Sequence, residues 1–223
     1  MFAVVFEVQP DPAQGDAYLG HARRLRPALE RMDGFVDNVR YRSLTRPGWL
    51  LSLSIWRDEK SLVRWRTHAG HHAVQEQGRA GVLRDYHLRV GPLVADTGAP
   101  AGQALAPQRL DETQVGAARA LVLVDARRDP GRLAADAPAA TARALGLDEA
   151  AAGLVQWDVF EAVPAPGEAL LLAAWHDEAA ARAFEQHAAL PPGARRRRVR
   201  VVRDYGLADR REAPQYFPAA PAA

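Results

Sequence analysis

The chain contains no cysteine. That absence removes disulfide frameworks, thiolate metal sites and cysteine nucleophiles together. Lysine is nearly missing as well. Lys60 stands alone, so the positive charge rests almost wholly on arginine, which reads as a GC-rich coding bias rather than a binding device. An excess of either charge is also lacking: 29 basic and 27 acidic side chains nearly cancel over 223 residues, which argues against nucleic acid as a partner. No apolar run approaches the roughly 18 residues needed to span a bilayer. The amino end, Met1-Phe2-Ala3-Val4-Val5-Phe6-Glu7, has no basic segment and carries an early acid, unlike a secretory signal. Gly-rich phosphate loops, dinucleotide fingerprints and Ser-His-Asp patterns are missing too. These absences predict a soluble, unprocessed, cytoplasmic protein with neither membrane nor nucleic acid as partner.

What the chain does have is a repeat. Residues 34–68 align without a gap on residues 153–187 at a constant offset of 119. Gly34/Gly153, Pro47/Pro166, Gly48/Gly167, Leu51/Leu170, Leu53/Leu172, Trp56/Trp175, Asp58/Asp177, Glu59/Glu178 and His68/His187 are identical pairs, and Trp65/Phe184 is a similar one. A chance match does not hold register this long, and a repeat of this kind sets the fold.

Each copy reads as strand, helix, strand, strand, helix, strand. Residues 2–8 alternate bulky apolar side chains with period two. Residues 16–32 carry apolar positions at helical spacing, with Pro27 expected to kink or divide the helix. Residues 35–44 and 50–56 are two β-rich runs around a Pro47-Gly48 turn. Asp58 is placed to cap a second helix bearing Leu62, Trp65, Ala69 and His72 on one face, and residues 82–94 supply the fourth strand. The order is the split βαβ, ferredoxin-like one, so the fold class is α+β. A four-stranded sheet with helices on one side leaves the other face bare, and strands this apolar need cover. The second copy is the expected cover, packed face to face as an intrachain pseudo-dimer, with a further homodimer left open. The expected division is a first module over 1–95, a Gly/Ala/Pro/Gln-rich linker over 96–116, a second module over 117–206 and a tail over 207–223.

The stretch Leu51-Ser52-Leu53-Ser54-Ile55-Trp56-Arg57-Asp58-Glu59, followed by Trp65-Arg66-Thr67-His68, His72, Gln75, Gly78-Arg79 and Asp85-Tyr86, resembles the core signature of the antibiotic biosynthesis monooxygenase family, of the dimeric α/β barrel superfamily. The second copy keeps residues 170–178, and its ending, Arg203-Asp204-Tyr205-Gly206 through Pro214, is similar to the tail of many such proteins. The resemblance implies an intrachain α/β barrel. It also implies one of three activities: cofactor-free oxygenation, haem chemistry, or no catalysis at all.

The copies differ after the matched histidine. The first runs 22 residues from His68 to Val90, and the second reaches Val199 twelve after His187, so ten residues equivalent to 70–79 are deleted. Chemistry that depends on this helix belongs to the first copy. His68 and His72 share i, i+4 spacing, but no third ligand follows at metal spacing, so no metal site is expected. Haem-degrading members of the resembled family carry a helical histidine about ten residues beyond such a tryptophan; that position here is Gln75, and His68, His71 or His72 would have to substitute.

Cofactor-free oxygenation asks for an apolar cavity, a base near neutral pH and donors for a developing oxyanion. His68 or His72 are the expected base. Asn38 and Arg66 are the expected donors, with Trp56, Trp65, Tyr86, His71 and Gln75 against the substrate. Trp56 recurs as Trp175 and also fits a core role, whereas Asn38 becomes Trp157. The run Arg195-Arg196-Arg197-Arg198-Val199-Arg200 is expected to be a solvated strand edge that blocks sheet association. The leading expectation is a monooxygenase that oxidises a small phenolic, hydroquinone or polyketide-like substrate with O2 and no cofactor. A haem protein and a non-catalytic binding or scaffolding module are the alternatives.

Overall fold

The computed structural model describes residues 1–99, 105 and 108–215. Its first strand, β1 (Phe2–Pro10), turns Ala3 and Val5 to one side and Phe2 and Val4 to the other, as period-two alternation requires. Helix α1 (Gly15–Glu30) follows a short 3-10 turn capped by Asp11. It runs through Pro27 undivided, so of the expected kink or division the second does not occur. The proline sits on the solvent side, where water can serve the carbonyl that loses its partner.

Strands β2 (Phe35–Ser43) and β3 (Leu50–Trp56) form the expected hairpin. Gly34 precedes it at φ +81, and its counterpart Gly153 has the same φ. A side chain at Gly34 would strike Ser61, so the pair is glycine for backbone and space alike. Asp58 caps α2 (Glu59–Thr67) by accepting from the Ser61 amide at 2.7 Å. The helix then stops at His68, whose φ −60 and ψ 125 are extended, and α3 (Ala69–Gln77) begins anew. The continuous helical face expected from Leu62 to His72 is therefore broken at His68. After a π-helical turn, Gly78–Val82, the long strand β4 (Leu83–Asp96) completes the first copy.

The second copy follows a similar order, with two short helices in place of α1 and none in place of α3: β5 (Ala120–Arg127), α4 (Pro130–Ala135), α5 (Pro138–Ala144), β6 (Leu154–Ala162), β7 (Glu168–Trp175), α6 (Glu178–His187) and β8 (Arg195–Arg200), with an extra strand β9 (Arg203–Gly206). The order β1-β3-β2-β6-β7-β5-β8-β4 returns to β1, so eight antiparallel strands close a barrel. The seams are β2 with β6, at Tyr41 opposite Ala162, and β4 with β8, at Leu93 opposite Val199. Inside it, Ala3, Val5, Leu51 and Leu53 meet Leu121, Leu123, Leu170 and Leu172 in one core. The two copies cover each other, as the bare apolar faces demand.

At Gly91, β4 changes neighbour from β8 to β9, and the Arg200 carbonyl occupies the space a side chain would need. The registers Val4 with Val90 and Val122 with Arg198 make Arg198, not Val199, the counterpart of Val90. The deletion in the second copy is thus one residue longer than ungapped reading gave.

The arginine run is not a solvated edge. Strand β8 is paired on both sides, and its guanidinium groups are consumed by carboxylates: Arg195 by Asp96, Arg197 by Asp125 at 2.5 Å, Arg198 by Glu185 and Arg200 by Glu178 at 3.0 Å. The Arg197–Asp125 pair has a counterpart in the first copy, Arg89 with Glu7. Burial works to raise the Glu7 carboxyl, but Arg89 and Arg46 beside it hold it below its ordinary value. Pairing of this kind is what lets such charges enter a barrel wall. Among the described residues, no helix is long and apolar enough to cross a membrane.

Candidate active site

The outer face of each half-barrel lies under helices, and there the copies part. In the second copy Val122, Val124, Val159, Leu171, Ala173 and Trp175 pack directly against Leu133, Leu145 and Phe184. In the first copy a cavity of about 580 Å³ opens between the sheet and α1, α2 and α3, within the range of small-molecule sites. Its floor carries Asn38, Arg40, Ser52 and Ser54, and its walls carry Val4, Phe6, Leu25, Leu29, Leu62, Leu88 and Val90. The floor positions correspond to Trp157, Val159, Leu171 and Ala173 in the second copy.

Most of the expected site residues meet here: Asn38, Trp65, Arg66, His71, His72, Gln75 and Tyr86 all line the cavity. Two do not. Trp56 is fully buried at the end of the floor, packed edge-on against Phe35, with its indole donating to Ser54 Oγ at 3.0 Å. His68, at the break between helices, is exposed and stacks on the outer side of this cluster against Trp65, ring centroids 5.5 Å apart. The i, i+4 argument for His68 with His72 fails because His68 is not helical.

His71 is held most firmly. Its ring lies on Trp65 at 4.4 Å and 14°, and its Nδ1 stands 3.0 Å from the Trp65 carbonyl. A carbonyl only accepts, so Nδ1 carries the proton and Nε2 the lone pair. Burial pushes the imidazole down to about 4, against the pull of the Trp65 carbonyl. His71 is therefore neutral at physiological pH. The Gln75 amide nitrogen lies beside it, 3.2 and 3.5 Å from the two ring nitrogens. His72 faces the cavity one position on, with Nδ1 3.8 Å from a Glu76 carboxylate oxygen.

Asn38, expected as a donor, has its amide nitrogen committed to Ser52 Oγ at 2.9 Å and the Leu53 carbonyl at 3.2 Å. The group it can offer a ligand is its oxygen. Sequence reasoning missed Tyr18, His21 and Arg40, which also line the cavity. It also missed the contribution of the second copy's end: Arg203, Tyr205, Arg210 and residues 213–215 close one side. Arg210 donates to the Tyr86 hydroxyl, and Arg66 Nη1 donates to the Gln215 carbonyl at 3.0 Å. Comparison of the two copies, which singled out Asn38 against Trp157, would have found Arg40 against Val159 and Ser52 against Leu171 by the same logic. Among the described residues no group of three or more His, Asp or Glu side chains is arranged to hold a metal ion.

The profile of the antibiotic biosynthesis monooxygenase family matches residues 1–77. A protein of Pyricularia oryzae named jasmonate monooxygenase ABM is 50% identical over 225 residues, covering 99% of this chain and 100% of its own. The chain belongs to the antibiotic biosynthesis monooxygenase family. Its reaction is therefore a monooxygenation, in which a small molecule meets O2. The fold agrees with that of an aldoxime dehydratase solved with butyraldoxime, at TM-score 0.54 and 13% identity over 93% of this chain and 80% of that one. A monooxygenase-like structure from Lactobacillus acidophilus NCFM aligns over 91% of this chain and 94% of its own at TM-score 0.41 and 7% identity. The family profile ends at Gln77, within the copy that is hollow, and α1 to α3, which roof the cavity, lie inside it.

Proposed function

We propose that the cavity of the first copy takes a small, mainly apolar acid of the jasmonate type, and that the protein inserts one atom of O2 into it without a bound metal or flavin. The observation that carries this reading is the hollow itself, apolar in its walls and polar at its floor, where the other copy is packed solid. The Pyricularia oryzae relative named for jasmonate supports the acid. The phenolic, hydroquinone and polyketide-like substrates expected from the sequence share the small apolar body and form the comparison set.

Electron balance limits the chemistry. When one oxygen atom enters the substrate and the other leaves as water, O2 takes four electrons. A C–H bond converted to C–OH supplies two, and the rest must come from outside. A methylene beside a carbonyl or phenolic ring, converted to a new carbonyl, supplies all four: CH2 and O2 become C=O and H2O. A cofactor-free reaction takes this second course. The chain then has to remove a proton and hold the resulting oxyanion while O2 accepts an electron. In this proposal His72, which lies beside Glu76, takes the proton. The hydroxyls of Ser52, Ser54 and Tyr18 supply donors.

The haem alternative narrows to one of its three candidate ligands. An axial ligand needs an accessible imidazole nitrogen; Gln75 stands against the His71 ring and His68 lies outside the cavity, which leaves His72. The test is jasmonate, with hydroquinones in parallel, under isotopically labelled O2, the product being read by mass spectrometry. Label entering a ketone product without added reductant supports the proposal; an alcohol formed only with a reductant overturns its cofactor-free part. No label from any of these substrates overturns the substrate reading, and activity that appears only with haemin, together with a Soret shift, establishes the haem alternative. His72→Ala is expected to lower turnover and His187→Ala to leave it unchanged.

A further inference from the structure

The barrel wall holds several buried or half-buried arginines, and one of the half-buried ones is treated differently from the rest. Arg89, Arg197, Arg198 and Arg200 each meet a carboxylate: Glu7, Asp125, Glu185 and Glu178. Arg40, on the cavity floor in the middle of β2, meets none among the described residues. Its Nε lacks a hydrogen-bond partner, as do those of the four paired arginines, so the missing carboxylate is what sets it apart; its polar neighbour is Tyr18. Burial drives the Tyr18 phenol above its ordinary value, against the pull of Arg40, so Tyr18 stays neutral and cannot act as a counter-ion. An unpaired guanidinium beneath a helical roof is costly. The second copy shows that the sheet does not need it, because Val159 fills the same place and is fully buried.

The rest of the lining carries the same sign. Arg66, Arg79, Arg203 and Arg210 surround the cavity, Arg26 at its rim is paired with Glu30, and the one carboxylate in the lining among the described residues, Glu59, is paired with Arg109 at 2.9 Å. A hollow with positive walls and a positive floor draws in an anion. A single carboxylate on an apolar body would then lodge its charged end on Arg40 and its carbon skeleton among Leu25, Leu29, Leu62 and Leu88. We infer that Arg40 is the carboxylate receptor of this cavity and the residue that selects an acid over its neutral ester. This rests on the proposed substrate site and adds to it the group that reads the substrate.

The experiment uses the full chain, with binding of jasmonate and its methyl ester measured by quenching of tryptophan fluorescence. The wild type is expected to prefer the acid by about tenfold or more, since a charge-assisted hydrogen bond is lost in the ester. Arg40→Met should weaken the acid by a similar factor and leave the ester unchanged, and Arg40→Lys should recover part of the preference. Arg203→Met should keep most of it. Should Arg40→Met fail to fold, the wild-type ratio and Arg40→Lys still decide. Equal affinity of acid and ester in the wild type overturns the inference while the substrate site stands. So does an acid preference that survives Arg40→Met or disappears in Arg203→Met. Failure of both acid and ester to bind overturns the substrate reading and the inference together.

Discussion

Laid on each other, the two copies are one architecture filled in two ways. At matching floor positions the first has Asn38, Arg40, Ser52 and Ser54, and the second has Trp157, Val159, Leu171 and Ala173. Above that floor the first has α1, α2 and α3 and a hollow; the second has two short helices in place of α1, none in place of α3, and a continuous core. A hollow forgoes dispersion contacts and leaves polar groups to be satisfied, which a lone four-stranded module can ill bear. Fusion separates the tasks. The second copy contributes packing and half the barrel, and the first is released to keep a cavity. The separation is incomplete, because the second copy's closing segment also walls the first copy's site.

The sharpest way to break this comparison is to truncate the matched pair Trp65 and Phe184. Phe184→Ala removes a ring stacked on Trp175 at 5.1 Å within a closed core, and should cost about 3–5 kcal/mol. That corresponds to a Tm lower by roughly 10 °C or more at this chain length, with kcat/KM per folded molecule unchanged. Trp65→Ala borders an existing cavity and should cost less than half as much, yet depress turnover by freeing His71. Equal stability losses in thermal melts would show that the second copy holds no larger share of the packing.

Next in size is the conversion of one copy's floor into the other's. Asn38→Trp with Ser52→Leu writes the second copy's residues into the cavity and should lower kcat/KM by about a hundredfold or more, since even small displacements in a site carry losses of that order. Circular dichroism should report a folded protein. Retained activity would place the reaction elsewhere.

A third difference is confined to α3, which has no counterpart in the second copy. His71 titrates near 4 when folded, against about 6.5 unfolded. Between those values the unfolded chain binds a proton that the folded chain does not, so stability rises with pH across the window and levels off above 6.5. The full shift corresponds to about 3 kcal/mol, and a ring not wholly withdrawn from water retains on the order of 1–2 kcal/mol. Urea midpoints from pH 7 to pH 4.5 should fall more steeply for the wild type than for His71→Gln. Parallel slopes would mean that the folded protein protonates this ring freely.

Much of this was legible in the sequence because it is local or repeated. The gapless offset announced two copies, period-two alternation gave β1, and Asp58 gave the cap of α2. The cavity residues Asn38, Trp65, His72 and Tyr86 followed from family resemblance and from the difference between copies. What the sequence hid depends on non-local pairing. An arginine run resembles a wet edge until Asp125, Glu178 and Glu185, distant in sequence, are brought against it. His68 looked helical by spacing because nothing local marks the extended backbone at that residue. Arg40 against Val159 was there to be read from the copies, but that the arginine stands without a carboxylate emerges only once its neighbours are in place.

The smallest expected effect concerns the wall that the second copy lends to the first. Arg66 reaches the Gln215 carbonyl and Arg210 reaches the Tyr86 hydroxyl, so the closing segment is pinned to the cavity by two hydrogen bonds from opposite copies. Each is worth about 0.5–1.5 kcal/mol net. Arg210→Ala should therefore raise KM by about three- to tenfold, through a looser wall, while Tm and kcat stay close to wild type. Its side chain stacks loosely over Tyr205, 6.0 Å from the ring centroid, so little packing is lost with it. A change in kcat without a change in KM would place Arg210 in the chemical step. An unchanged KM would show that this segment rests on the cavity without gating it, and the second copy's part would reduce to the barrel alone.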